Sequence, residues 1–298
     1  MPTTTTGQEI YAKDILKALS AQLAPINGFS TDLSQEARAP GESVSVQLVT
    51  KDQVGDFGAD NNFRRTASQN SKVTVTFGTA KIAGFSVTPY QIANFNPGWW
   101  KQKALLNANL MADTILAGVA ANVTAENFDG DPIALAKYSE ITMKEVAKIK
   151  STAARAGISP RRSSLYLMPE TYAALESLYN GAKSGLTRAQ VMSELAASVG
   201  VGAVYMIPQV AIPQAGGLVG WISEPSALAF AARNFRPASD RPYESVQEIV
   251  DPETGIGMTL VEYVDGDMGN LNESVTGLFD SAVGVKEALV RITATAAA

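Results

Sequence analysis

Two segments near the start of the chain alternate between apolar and polar residues, which is the period of a β-strand with one buried face. They span residues 43–49 and 72–77, and the apolar residues that would share a face are Val44, Val46, Leu48, Val73, Val75 and Phe77. The polar residues between the two segments contain glycine and lack a helical period, so the pattern predicts a long two-stranded finger with an irregular tip. A free ribbon of two strands is only marginally stable in water. Either a neighbouring molecule supports the finger, or its strands join the main sheet.

Residues 97–123 carry the pattern of a long helix that lies along a sheet. Asn96 is a favourable N-cap, and Pro97 fits the first helical position because its missing N–H is not needed there. Only Gly118 interrupts the run, which predicts a rod of roughly 40 Å at 1.5 Å per residue. The predicted buried face consists of Trp100, Ala104, Met111, Ile115 and Val119.

The N-terminal segment predicts a short amphipathic helix. Its apolar residues recur every four positions, at Tyr11, Ile15, Leu19 and Leu23, and Pro25 ends the run. Such a stripe needs an apolar partner. The partner is either the main body of the same chain or a neighbouring subunit.

The rest of the chain interleaves helices and strands, a pattern typical of a compact α+β region. Helices are predicted from residues 139–142 to Gly157, after Pro169, and over residues 187–198. Strands are predicted at SSLYLM, AVYMIP, LVGWIS and ALAFAAR, at YESVQEIV and IGMTLVEYV around the turn DPETG, and at VKEALVRI.

The composition of the 298 residues changes the picture mainly through charge. Charged residues make up 18% of the chain, below the roughly 25% of an ordinary soluble domain, so much of the surface must be neutral. The net charge of −5 disfavours a dedicated DNA-binding protein. No apolar stretch approaches the roughly 20 residues that span a bilayer, and the first residues do not form a secretory signal. The sequence therefore predicts a soluble protein made in a cytoplasm, with no membrane partner.

The chain contains no His and no Cys, which excludes several kinds of catalytic site. A Ser-His-Asp triad, a cysteine nucleophile and an ordinary zinc site are all ruled out. No group of nucleophile, base and orienting residue is recognisable, so neither an enzyme, a cofactor nor a metal site is predicted. The remaining enzyme alternative is a carboxylate- or Mg²⁺-dependent one, whose candidate ligands are Asp129, Asp131, Asp265 and Asp267.

Two arginine pairs stand out as candidate contact sites. Arg64 and Arg65 lie in the tip of the finger, and Arg161 and Arg162 precede the SSLYLM strand. Guanidinium groups suit bidentate contacts with carboxylates across an interface. Solvated surface pairs are the alternative reading of both.

The order of these segments resembles the major capsid proteins of tailed bacteriophages, which have the Hong Kong 97-type fold. The phrases SSLYLMPETYAALESL, GGLVGWISEPSALAFAARN and DPETGIGMTLVEYVDG resemble the axial strand and helix, the axial β segment and the peripheral strand pair of that family. The resemblance implies an α+β fold with an N-terminal arm, an extended β-hairpin loop, a long spine helix, a peripheral domain and an axial domain. The implied divisions are the arm at 1–42, the extended loop at 43–90, the peripheral domain with the spine helix at 91–138, the axial domain at 139–236, the peripheral return strands at 237–270, and a C-terminal segment returning to the axial domain at 271–298.

The same resemblance implies a structural role. The chain would assemble with copies of itself into hexamers and pentamers of an icosahedral shell that encloses double-stranded DNA without sequence-specific binding, in a virion put together in the bacterial cytoplasm. A scaffolding protein, a portal and, in some members, a decoration protein would be its other partners. The candidate inter-subunit contacts are Tyr11, Leu19, Phe57, Phe63, Arg64, Arg65, Arg161 and Arg162. The alternative within the fold is an encapsulin-like nanocompartment that packages protein cargo.

Overall fold

The structure, a computed structural model, describes most of the chain between residues 15 and 294. The described residues are 15, 17–19, 21–34, 36, 38–50, 71–93, 97–159, 161–180, 188–208, 217–237, 243–250 and 255–294. The strands are β1 Ser30–Asp32, β2 Ser43–Gln47, β3 Lys72–Thr76, β4 Lys81–Val87, β5 Ile133–Leu135, β6 Ser164–Leu167, β7 Ala203–Met206, β8 Leu218–Ser223, β9 Leu228–Asn234, β10 Ser245–Val250, β11 Gly257–Val264, β12 Leu271–Val283 and β13 Leu289–Ala294. The helices are α1 Pro89–Ala93, α2 Pro97–Ala120, α3 Met143–Arg155, α4 Pro169–Asn180 and α5 Arg188–Val199.

A six-stranded sheet is built around the 13-residue strand β12. The first half of β12 pairs antiparallel with both β11 and β4, and its second half pairs antiparallel with β9. β1 joins β9 in parallel, and β10 joins β11 as the predicted hairpin partner. The predictions did not include β12, although it is the strand that holds this sheet together.

A five-stranded sheet has the order β5-β13-β8-β6-β7. Every residue of β6 and β8 is buried, as expected of central strands covered on both faces. Tyr166 of β6 stacks between Phe29 and Trp221, with both ring centroids 5.0 Å away, and its hydroxyl donates to the Pro25 carbonyl at 3.0 Å. These contacts fix the chain just before β1 against the second sheet.

Two short connections that lie side by side carry the chain between the sheets. One runs from β8 to β9 and the other from β12 to β13, each through a turn of 3-10 helix, Pro225–Ala227 and Lys286–Ala288. The connections are bonded to each other: the Gly284 N–H donates to the Ala227 carbonyl and the Val285 N–H to the Ser226 carbonyl, both at 2.8 Å. The two sheets are therefore joined by paired backbone, and one hydrophobic core runs through both.

The six-stranded sheet is covered on both faces. On one face Phe230, Ala232 and Phe279 belong to the main core together with residues of the long helix α2. On the other face Ala229, Ala231 and Leu278 pack against the ribbon formed by β2 and β3. The order of layers is therefore helix, sheet, ribbon.

The strongest local signals form the elements that they predict. α3 begins with a capping box, in which the Thr142 hydroxyl accepts from the Glu145 N–H at 3.4 Å and the Glu145 carboxylate accepts from the Thr142 N–H at 2.8 Å. The helix is followed by Gly157 at φ +76°, the left-handed position that favours glycine. α2 begins at Pro97 as predicted and ends at Ala120, three residues before the expected end.

The structure assigns the predicted strands to their sheets, while the domain divisions drawn on the sequence remain predictions. LVGWIS and ALAFAAR, both expected in the axial domain, form β8 and β9 and lie in different sheets. The chain passes from the five-stranded to the six-stranded sheet at residues 224–227. β4, at the end of the predicted extended loop, and β12, at the start of the predicted C-terminal return, both belong to the six-stranded sheet. No helix in the described ranges is long and apolar enough to cross a bilayer.

Candidate assembly surfaces

The ribbon of β2 and β3 is anchored to its own chain. Its strands pair antiparallel, and the ladder extends past them through the bonds from Phe77 N–H to the Glu42 carbonyl and from Leu48 N–H to the Ser71 carbonyl, both 2.9 Å. Val46, Val75 and Phe77 are each 1% exposed, against the six-stranded sheet. The ribbon thus forms a sheet of its own that lies across the main sheet. Its base has the support that an isolated hairpin lacks.

The predicted contacts at the tip of the finger remain predictions. Phe57, Phe63, Arg64 and Arg65 lie outside the described residues, as does Tyr11 in the N-terminal segment.

The described part of the N-terminal segment packs on its own chain. Ile15, Leu19 and Leu23 are each 1% exposed and belong to the main core. Gln22 donates a side-chain hydrogen bond to Asn109 of α2, which places this segment beside the long helix. Of the two partners considered for the apolar stripe, the structure shows the main body. Leu19, expected as an inter-subunit contact, is covered by its own chain in this conformation.

The second arginine pair lies on the surface. Arg161 and Arg162 are exposed in the turn that leads into β6, where the Arg162 N–H donates to the Ser159 carbonyl at 3.2 Å. Both side chains are accessible to another molecule. Their role as inter-subunit contacts remains a prediction.

The inward face of α2 follows the predicted register in its second half. Met111, Ile115 and Val119 are 3–4% exposed, as predicted, and Ala108 and Ala112 next to them are fully buried. The other two residues of the predicted face, Trp100 and Ala104, have side chains outside the described set.

The outward face of α2 carries three exposed leucines and no charge between residues 102 and 118, which the sequence pattern had not led us to expect. Leu105, Leu106 and Leu110 are 42%, 57% and 64% exposed. Between residues 102 and 118 the exposed positions of the helix are Gln102, Leu105, Leu106, Asn109, Leu110, Thr114 and Gly118. Of the two charged side chains described in this helix, Lys103 lies over the Trp99 ring at 5.6 Å, and partial burial raises the pKa of Asp113. A helix that is apolar on both sides is typical of one covered on both sides.

The four aspartates of the enzyme alternative lie in two surface loops. Asp265 accepts the Asp267 N–H through its side chain at 3.1 Å and the Gly269 N–H through its carbonyl at 2.7 Å, so it shapes its own turn. Within the described ranges no group of three or more Asp or Glu side chains is arranged to hold a metal ion.

The whole fold is similar to that of two solved particle subunits. One is the capsid of a native GTA particle, at 12% identity and a TM-score of 0.52, with 93% of this chain and 90% of that chain covered. The other is the virus-like particle from Pyrococcus furiosus, at 12% identity and a TM-score of 0.50, with 95% of this chain and 98% of that chain covered. No protein-family model and no curated relative matches the sequence. At such low identity the likeness concerns the fold, and it confirms the fold class expected from the sequence: the chain has the Hong Kong 97-type capsid fold.

Proposed function

We propose that this chain is the subunit of a closed protein shell that assembles from copies of itself. The observation that carries the proposal is the fold: it is shared over at least nine-tenths of both chains with a capsid protein and with the protein of a virus-like particle. In a shell, each subunit is surrounded by identical neighbours, and obligate interfaces of that kind are large and apolar. The low density of charge over the whole sequence agrees with such a surface.

The outward face of α2 supplies a surface of the right kind for a second copy. Leu106 and Leu110 are one helical turn apart, and the other exposed positions of the helix between residues 102 and 118 carry no charge. Full burial of a leucine side chain contributes about 1.5–3 kcal/mol. We therefore assign this face to a contact with a neighbouring subunit.

A charge on this face is expected to block assembly without unfolding the subunit. In the double variant Leu106→Asp, Leu110→Asp, both substituted side chains point to solvent in the single subunit, so the core is unchanged. In an apolar contact two unpaired carboxylates would be desolvated, which is strongly unfavourable. The expected result is a native circular dichroism spectrum with no closed particles in light scattering or negative-stain micrographs.

Met143→Asp is the matched control for this test. Met143 is 58% exposed at the first position of α3, where an acidic residue is favourable, and it belongs to a different helix. Particles should form normally from this variant. If the control blocks assembly as strongly as the double variant, or if the double variant still assembles, the assignment of the α2 face fails.

We further propose that the shell is the capsid of a tailed phage. Hexamers and pentamers would enclose double-stranded DNA, a separate scaffolding protein and a portal would guide assembly in the bacterial cytoplasm, and a decoration protein would be an optional addition. The net charge of −5 agrees with a shell that encloses DNA, because a negatively charged wall does not bind the DNA tightly and the container does not need it to. The finger and the arm, as in the family that the sequence resembles, would contact adjacent subunits.

An encapsulin-like compartment is the second candidate. It is kept as a candidate because the chain shares its fold with a virus-like particle from Pyrococcus furiosus as well as with a capsid. Analysis of the contents of particles purified from the native host separates the candidates. Nuclease-protected double-stranded DNA of one length supports the capsid, and a single abundant enclosed protein without DNA supports the compartment.

A further inference from the structure

Two buried glutamates face each other within the six-stranded sheet. Glu262 of β11 and Glu273 of β12 are direct cross-strand partners and are 5% and 3% exposed. Side chains at such positions have Cβ atoms about 4.5–5.5 Å apart, and like charges there are destabilising. Two ionised carboxylates at this distance, with so little water, would strongly repel each other.

The pair lies on the sheet face that the long helix covers. Residues that pair directly share a face, so the registers place Ser245 of β10, Glu262, Glu273 and Phe85 of β4 in one row across four strands. The Phe85 ring contacts the edge of Trp99 in the first turn of α2, with ring centroids 5.6 Å apart. The first turn of α2 therefore contacts Phe85, the residue at one end of the row that contains the two carboxyl groups.

The residues above and below the pair are apolar. On the same face, the next cross-strand pair on one side is Leu260 with Val275, both in the main core, and on the other side it is Val264 with Leu271. One oxygen of each glutamate, Oε2, is buried and has no hydrogen-bond partner within the described part of the structure. A buried carboxyl without full hydrogen bonding favours its neutral form.

The charges around the pair favour that form as well. Burial, with the charge of Glu262 beside it, raises the pKa of Glu273 to about 8. Burial, together with the charge of Glu244 just before β10, raises the pKa of Glu262. On β4 the nearest cation on this face is Lys81, which pairs with Gly277, four residues along β12 from Glu273. The described charged side chains of α2 are Lys103, which lies over Trp99, and Asp113, farther along the helix.

We propose that Glu262 and Glu273 form a proton-linked latch, in which a shared proton keeps the start of the long helix packed on the sheet and loss of that proton loosens it. The direction follows from linkage. A freely exposed glutamate has a pKa of about 4.3. Between that value and about 8 the closed state holds more protons than an open state in which the carboxyls reach water. Opening is therefore favoured as the pH rises, by up to about tenfold per pH unit, and levels off above pH 8.

Hydrogen exchange of the helix amides tests the latch on the purified full-length subunit. After correction for the intrinsic pH dependence of exchange, the opening of residues 97–107 should increase up to about 100-fold between pH 5.5 and 7.5. Glu273→Gln keeps the neutral shape and cannot ionise, so the pH dependence of its corrected exchange should be much smaller than that of the unchanged protein. Glu140→Gln, at a carboxyl whose side chain is 68% exposed, is the control and should behave as the unchanged protein does. Equal pH dependence in the unchanged protein and in Glu273→Gln overturns the proposal.

A second measurement uses only the unchanged protein, so it does not depend on whether a variant folds. In the unchanged protein with ¹³C-labelled glutamate, the carboxyl resonances report each titration directly. One resonance with a midpoint above pH 6.5 supports the latch. Midpoints below 5.5 for all glutamates contradict it.

Discussion

Replacing residues 51–70 with a short Asn-Gly turn is expected to give a folded subunit that no longer forms closed particles. The replaced segment contains none of the buried ribbon residues, Val46, Val75 and Phe77. The hydrogen bond from the Leu48 N–H to the Ser71 carbonyl is also kept, so the new turn can close the hairpin. The melting temperature should therefore stay within a few degrees of the original. Assembly should be lost because, in the proposed shell, the finger contacts an adjacent subunit. Circular dichroism measures the fold, and light scattering with negative-stain microscopy measures the particles.

A tip of equal length made of Gly and Ser separates the two possible causes of that loss. If the residues of the tip make the contacts, this variant also fails to assemble. If it assembles normally, length alone matters, and the predicted contacts at Phe57, Phe63, Arg64 and Arg65 are wrong. Normal particles from the shortened chain would contradict the role of the finger altogether.

Gly284→Ala is expected to destabilise the subunit by about 3 kcal/mol, since no space exists for the added methyl group. A Cβ at this position would lie 2.2 Å from the Ser226 carbonyl oxygen and 3.2 Å from that of Ala227. Both atoms are backbone of the neighbouring connection, to which Gly284 itself is bonded, so relief requires the two sheet connections to separate. In thermal unfolding this should appear as a fall in melting temperature of roughly 5–10 °C.

Gly118→Ala is the matched glycine substitution. Its added Cβ meets nothing within 4 Å, and the position is inside α2, where alanine is favoured over glycine by about 0.5–1 kcal/mol. The variant should melt at the same temperature as the original or slightly above it. Equal melting of Gly284→Ala and the unchanged protein would show that the connections separate easily.

Local signals predicted the elements whose conformation is decided locally. The alternation in residues 43–49 and 72–77 gave the ribbon, Pro97 gave the start of the long helix, and residues 139–142 gave the start of α3. β12 was missed because its apolar residues do not alternate: its two halves have different partners, and Leu278 faces the ribbon while Phe279 faces the main core. A strand buried on both faces has no single periodic stripe.

The sheet to which each strand belongs was not predictable from local pattern. β8 and β9 are separated by only four residues and have similar apolar composition, yet they lie in different sheets. The sheet of each strand depends on its pairing, of β9 with β12 and of β8 with β13, and these partners begin only at residues 271 and 289. The resemblance to a family supplied the fold class. The position at which the chain passes from one sheet to the other is visible only in the three-dimensional structure.

Of the candidate contact residues, Arg161 and Arg162 lie on the surface and Leu19 is buried in its own chain, and their roles as inter-subunit contacts remain predictions. An amphipathic pattern indicates that one face of a helix is buried. It does not indicate whether that face packs against its own chain or against another subunit. The exposed leucines of α2 could have been predicted from the sequence, because the helix contains more apolar residues than a single buried face needs. The burial of Glu262 could also have been predicted, because in the predicted strand IGMTLVEYV it shares a face with the core residues Met258 and Leu260.

The central position of β12 has a consequence for synthesis on the ribosome. β1 and β4 emerge early, but the strand that connects β4 with β9 and β11 begins only at residue 271. At about 5–20 residues per second, β4 waits roughly 10–40 seconds for this partner strand to be synthesised. Such long-range pairing slows folding, and it leaves unfinished polypeptides unable to form the sheet. In the proposed shell, translation would thereby act as a checkpoint, because only chains extended past residue 283 contain the complete sheet.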